Sequence, residues 1–244
     1  TLVSVLIGDN CPTNKATADM LGVRLIGCAC HKLNLAIQKL IAKTPGTSDA
    51  IARVRSMVIK ATNLKAAAAL RDLTELVPLL NNDTRWSSTY RMIERFFKIE
   101  KELRLVDEVE VPRNAEVQVL RDLMPKLEKL DSITVDLHTQ GTTVADARGT
   151  LDIVLDDFPE LSHYLAQDAA IVHDPSFESG YQDLSYMLGT STSVERLFSI
   201  AKYVMPAHRE RMSTWMFENI MFLKTNRDLW TSKTVAIAIR DARA

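Results

Sequence analysis

Only two short runs of this 244-residue chain read as β-strands, and both fall within its first 28 positions. Leu2-Val3-Ser4-Val5-Leu6-Ile7 is apolar and rich in β-branched residues, and Gly8-Asp9-Asn10 closes it with a turn signal. Pro12 suits the first turn of a helix running to about Leu21, where Gly22 stops it. Val23 to Cys28 supplies the second strand, and from His31 to Ile41 the apolar residues Leu33, Ala36, Ile37, Leu40 and Ile41 recur at helical spacing. The order β-α-β-α predicts an α/β segment over 1–45 whose strands are buried on both faces. Two strands do not make a stable sheet, so further strands are expected from upstream or from a partner, or are missing.

The texture changes after Thr44-Pro45-Gly46-Thr47, the clearest linker in the chain. Ile51, Val54, Val58, Ala61, Leu64 and Ala68 mark one amphipathic helix, and Trp86, Tyr90, Ile93 and Phe97 mark a second. Val117, Leu120, Leu123, Leu127 and Leu130 mark a third, with a kink expected at Pro125. Leu151, Val154, Leu155 and Phe158 form a shorter stripe before Pro159. The stretch from 47 to about 170 thus reads as a helical bundle. Residues 171–192 are irregular, and two further helices follow, over Val194, Leu197, Ala201 and Val204 and over Met216, Ile220 and Leu223. Three domains are expected: 1–45, 46–185 and 186–244.

Composition agrees with long helices. Gly and Pro number only eight each, about half their usual share, so few tight turns are available. The 30 basic and 31 acidic residues leave a net charge of −1, which excludes a chain-wide basic clamp for nucleic acid but not a local patch. The opening apolar run, Thr1 to Gly8, is far short of the ~18 residues a membrane span needs, and no basic segment precedes it, so neither a membrane partner nor a signal peptide is expected. Cys11, Cys28 and Cys30 are odd in number and close together, which fits a reducing compartment better than a disulfide framework. The chain starts on Thr1 rather than Met and is expected to be a fragment or a processed product.

Several side chains could carry chemistry. Asp9 sits where the first strand ends, the edge at which α/β folds place ligands, although from spacing alone a turn-forming Asp beside Asn10 is the better explanation. Cys28-Ala29-Cys30-His31 gathers thiols and an imidazole, but a closed zinc site takes four ligands, usually in two pairs. No second pair occurs, since His138, His163, His173 and His208 are isolated, so no zinc site is expected. Thr192 and Glu195 have capping-box spacing. Arg85, Arg91 and Arg95 beside Trp86 and Tyr90 could track a phosphate backbone and stack a base, while Trp86 at the head of an apolar stripe also reads as core. Lys202, His208, Arg209 and Arg211 form a second local basic cluster.

The order of these strings resembles hAT-superfamily DNA transposases. Asp9-Asn10 after a strand, followed by Cys28-x-x-His31-Lys32-Leu33-Asn34-Leu35, is similar to the middle of that family's catalytic domain. Asp83-Thr84-Arg85-Trp86-Ser87-Ser88-Thr89-Tyr90 resembles its Arg-Trp motif in the helical insertion domain. Ser191-Thr192-Ser193-Val194-Glu195-Arg196-Leu197-Phe198-Ser199, then Arg209, Arg211 and Phe222-Leu223-Lys224-Thr225-Asn226, resembles the C-terminal dimerisation region.

The resemblance implies an α/β plus all-α chain: an incomplete RNase H-like fold interrupted by a helical insertion domain, helix-rich overall. It implies that Asp9 and Glu195 are the second and third carboxylates of a site that holds Mg²⁺ ions and drives DNA cutting and joining. Cys28 and His31 would match the Cys-x-x-His element that contacts DNA, Arg85 would join that contact, and Trp86 would stack on a displaced base. Leu197, Phe198, Val204, Phe217, Met221 and Phe222 are too many for one helix pair to bury against itself and would serve a homo-oligomer interface, or else belong to the intrachain core; the resemblance implies nuclear residence. The family's first Asp would lie upstream of where Thr1 stands, no BED-type zinc finger is expected before the domain, and the insertion, from about Thr44 to about Tyr181, reads as short, with a deletion scar expected over 173–189. We therefore expect a truncated or degenerate relative that dimerises and binds DNA weakly, does not catalyse transposition as given, and holds Mg²⁺ poorly or not at all. The alternatives are an active transposase whose longer parent chain supplies the missing Asp, and a helical adaptor without DNA binding.

Overall fold

The computed structural model describes residues 5–82, 84–166, 187–205 and 212–241. The chain divides into two compact units, Thr1–Thr190 and Ser191–Ala244.

The first unit opens with β1 (Val5–Gly8), α1 (Pro12–Leu21) and β2 (Arg24–Gly27). The strands pair in parallel, Val5 opposite Arg24 and Gly8 opposite Gly27. Pro12 heads α1, the Cys11 sulfur accepts the Asn14 N–H at 3.4 Å, and Gly22 at φ 62° ends the helix in the left-handed conformation. Contrary to the expectation of strands buried on both faces, Val5, Leu6 and Ile7 are half-buried and Arg24 is exposed. A two-stranded sheet offers little surface to cover, and accordingly Ala18 is the one buried residue of α1.

The core lies in the helices that follow: α2 (Ala29–Lys43), α3 (Thr47–Ala61), α4 (Leu64–Arg71), α5 (Trp86–Leu103), α6 (Asn114–Leu137), α7 (Val144–Asp157) and the single-turn α8 (Ser162–Leu165). One continuous apolar cluster runs from Ala29 to Leu165 and includes Leu33 and Ile37 of α2, Met57 of α3, Phe96 of α5 and Leu127 of α6. Burying a side chain of this size contributes about 1.5–3 kcal/mol. The boundary expected near residue 45 is therefore not a break. The apolar face of α2 packs on α3, α5 and α6, and the Thr44–Gly46 turn is locked by Thr47, whose buried hydroxyl donates to the carbonyls of Ile41 and Thr44.

Two local expectations also change. The stripe from Ile51 to Ala68 is broken at Thr62-Asn63 into α3 and α4. α6 continues through Pro125, whereas α5 carries the non-helical residue, Ile99 at φ −125° and ψ 16°.

A short strap completes this unit. The carbonyl of Met187 accepts the Val144 N–H (2.8 Å), the Gly189 N–H donates to Thr142 (2.9 Å), and the Gly189 carbonyl accepts the Ala29 N–H (3.0 Å). A Cβ at Gly189 would stand 2.6 Å from the Thr143 carbonyl oxygen and 2.7 Å from Ala147 Cβ, so glycine is what lets the strap tie the start of α2 to the start of α7. The expected deletion scar thus holds this strap at its end, and residues 173–186 lie outside the described residues.

The second unit contains α9 (Thr192–Val204), α10 (Thr214–Thr225) and α11 (Ser232–Asp241). α9 and α10 pack on each other. The capping box expected from Thr192 does not form: Ser191 is the cap residue without a side-chain cap bond, and Thr192 is the first helical residue and is buried. The Ser191 hydroxyl instead donates to Glu195 Oε1 at 3.2 Å.

Candidate functional site

At the C-terminal edge of the sheet, the first turn of α1 folds back on the end of β1. Asn14 Nδ2 donates to the Asp9 carbonyl (3.0 Å) and to Asp9 Oδ1 (2.6 Å), which fixes the carboxylate of this half-buried residue. Beside it, Lys32 reaches back from α2 across the end of β2. A Cβ at Gly27 would stand 2.6 Å from Lys32 Cε and 2.8 Å from Asn10 Oδ1, so the absent side chain there makes room for both. Burial lowers the Lys32 pKa, nearby Cys28 offsets part of that shift, and Arg148 adds to it. Cys28 itself is buried at the start of α2, with its N–H donating to the Gly8 carbonyl, and His31 is half-buried in the first turn.

α2 also carries the contact that joins two sequence motifs. Asn34 Oδ1 accepts the Trp86 N–H at 3.0 Å, and Asn34 Nδ2 donates to the Thr84 carbonyl at 3.3 Å. Gln38 Nε2 donates to the same carbonyl at 3.4 Å. The Cys28–His31 helix and the Arg85–Trp86 segment are therefore held side by side. Nothing in the spacing of Asn34 within its motif announces this role; the available signal is a polar residue beside the apolar face of α2.

The Trp86 ring is 3% exposed and lies 6.2 Å from Tyr90, within the helical core. In this arrangement it offers no open face to a base, and the core reading of its position holds. Arg85 and Arg91 are exposed, whereas Arg95 donates to the Val77 carbonyl at 2.7 Å. The expected basic stripe is interrupted by acid: burial raises the Tyr90 pKa, with Glu94, Glu128 and Asp131 adding to the shift. Asp83 lies outside the described residues.

Residues 26–123 match the family model of the ZBED1 RNase-like helical domain. That domain is related to hAT-family transposase-derived proteins. No curated protein matches the chain. The matched stretch runs from β2 into α6 and takes in Cys28, His31, Arg85 and Trp86, while Asp9 and Glu195 lie outside it.

Asp9 belongs to the first unit and Glu195, which is exposed, to the second. Among the described residues no three His, Cys, Asp or Glu side chains converge. No helix among the described residues is long and apolar enough to cross a membrane.

Of the side chains expected at a subunit interface, Phe198 (67%) and Phe222 (63%) are exposed, Leu197 is exposed less, and Phe217 is half-buried. Val204 and Met221 are buried. These two side chains are covered within the chain, as in the intrachain-core reading. Lys202 is exposed, and His208, Arg209 and Arg211 lie outside the described residues.

Proposed function

We propose that the chain is a hAT-transposase-derived protein whose working property is self-association through α9 and α10. The apolar surface of the second unit carries this reading. α10 has Trp215, Phe217, Ile220, Met221 and Phe222 distributed around its circumference, a pattern found in buried helices, yet Trp215 is 69% exposed and Phe222 63%. Apolar patches of this kind mark interaction surfaces, and a second copy of the same pair of helices satisfies them by two-fold pairing. Light scattering at tens of micromolar tests it. The expected result is a dimer for the parent chain and a monomer for Phe198→Ser/Phe222→Ser; a monomeric parent chain refutes the reading.

The parallel β1–β2 pair is read here as part of an RNase H-like sheet interrupted by the helical domain, with weak DNA contact at exposed Arg85 and half-buried His31. With a net charge of −1, the affinity is expected to be low and to fall steeply with salt. Fluorescence anisotropy of labelled duplex at two salt concentrations, with Arg85→Ala, reads this contact. Nuclear residence follows from the same ancestry and is tested by imaging a tagged chain. Cleavage of a nicked or hairpin-end DNA in Mg²⁺ would replace this reading with an enzymatic one through Asp9 and Glu195.

A further inference from the structure

The second unit holds a cleft whose lining includes neither Phe198 nor Phe222. It measures about 490 Å³ and is lined by Ile200 of α9, Lys224 at the end of α10, and Arg227, Trp230, Thr231 and Ser232 leading into α11. Its size falls within the ~300–1,000 Å³ of small-molecule sites. Among the described residues two cations line it and no carboxylate does. Arg227 makes no ion pair among the described residues, and the Lys224 ammonium stands 5.3 Å from the Tyr203 ring centroid. The Trp230 indole N–H donates to the Leu223 carbonyl at 2.8 Å. That bond uses the ring's one polar group and leaves stacking as the contact the indole has to offer.

We propose that this cleft binds a nucleotide unit, its base against Trp230 and its phosphate between Arg227 and Lys224. A guanidinium matches phosphate oxygens in a two-pronged geometry, an indole gives a base a sequence-independent platform, and the Thr231 and Ser232 hydroxyls supply hydrogen bonds to sugar or phosphate. The same chemistry occurs in a free nucleoside phosphate and in single-stranded nucleic acid. The cleft requires neither the α9–α10 association nor the Arg85 contact.

Calorimetric titration of the whole chain at low salt with AMP and with an oligothymidylate tests the proposal. Binding of AMP alone supports it with a free nucleotide as ligand, and binding of the oligomer supports it with nucleic acid as ligand. In either case Trp230→Leu is expected to weaken binding about tenfold, within the range of base–aromatic stacking, and Trp230→Phe to stay within about threefold. Arg227→Gln, at an exposed position that does not threaten folding, is expected to cost about tenfold and to flatten the salt dependence of oligomer binding by roughly 0.7 in slope. Arg85→Ala leaves AMP binding unchanged, which separates this cleft from the duplex contact. No binding of either ligand at millimolar concentration overturns the proposal, as does binding that both Arg227→Gln and Trp230→Leu leave intact.

Discussion

The two units of this chain use apolar residues in opposite ways. In the first, Leu33, Ile37, Phe96 and Leu127 are removed from water by helices crossing on several sides, whereas in the second Phe198, Trp215 and Phe222 remain on the surface. Both carry regular helices, so helix formation does not separate them. Isolated helices of 10–13 residues are marginal in water and draw their stability from packing. The first unit supplies that packing itself; the second has Val204 and Met221 as its buried apolar side chains among the described residues, and under the proposed self-association a second copy would supply the rest.

Phe96→Ala breaks the comparison most severely. It is expected to cost about 3–5 kcal/mol by leaving a cavity in the first unit, lowering Tm by roughly 10 °C. Phe222→Ala at low protein concentration should stay within about 0.5 kcal/mol while weakening self-association. Equal losses in thermal unfolding monitored by circular dichroism would mean that the surface of the second unit is core after all.

Gly189→Ala comes next and acts on one seam of the first unit. The added methyl group meets the Thr143 carbonyl and Ala147, backbone and side chain that cannot both yield, at a cost of about 1–3 kcal/mol. Hydrogen exchange should accelerate at the Ala29 and Val144 amides, which the strap now holds, with no change in the second unit.

These contrasts also show what sequence could and could not reveal. α1 was legible to the residue because Pro12 and Gly22 act through local backbone geometry alone. The apolar stripes of α3, α5 and α6 were legible because a 3.6-residue period needs no knowledge of the partner. The period does not say which neighbour a stripe faces, and α2, expected within the α/β segment over 1–45, packs with helices. Asn34 and Gly189 act across 52 and 46 positions or more, on Trp86 and Thr143 respectively, a separation that spacing cannot carry. α11, with Val235 and Ile237 among Ala and Thr, gave too short a stripe to notice. At the site, spacing raised Trp86 as core and as platform alike, and burial decides between them for this conformation.

Helix entry offers a milder comparison. Thr143 Oγ1 accepts the Asp146 N–H (3.2 Å) and Asp146 Oδ2 accepts the Thr143 N–H (3.0 Å), a closed capping box at the start of α7, whereas α9 begins at Ser191 without a side-chain cap. Thr143→Ala is expected to cost about 1 kcal/mol and Ser191→Ala only a few tenths. The hydrogen bonds from Thr143 lower the Asp146 pKa. The stabilisation is therefore present at neutral pH, above the unfolded carboxylate value, and is lost as pH falls through the lowered folded value. The gap between parent and Thr143→Ala chains in chemical denaturation should narrow on acidification below about pH 4, leaving the part due to the neutral hydroxyl cap.

The smallest expected effect has the opposite sign. Asp131, half-buried on α6, has its pKa raised by burial, with Arg91 opposing and Glu94 adding to the shift. A carboxylate whose folded value lies above its unfolded value binds protons more readily in the folded chain. Its charge therefore costs stability at neutral pH, and the cost disappears as pH falls through the folded value. Asp131→Asn is expected to raise Tm by about 1–2 °C at pH 7, in keeping with a shift of a few tenths of a kcal/mol for a partly solvated group, and to give no gain near pH 4. A gain that persists in acid would trace to amide hydrogen bonding rather than to charge. A loss at pH 7 would show that attraction to Arg91 outweighs desolvation, making this position an ion pair of the same surface type as Lys98–Glu94.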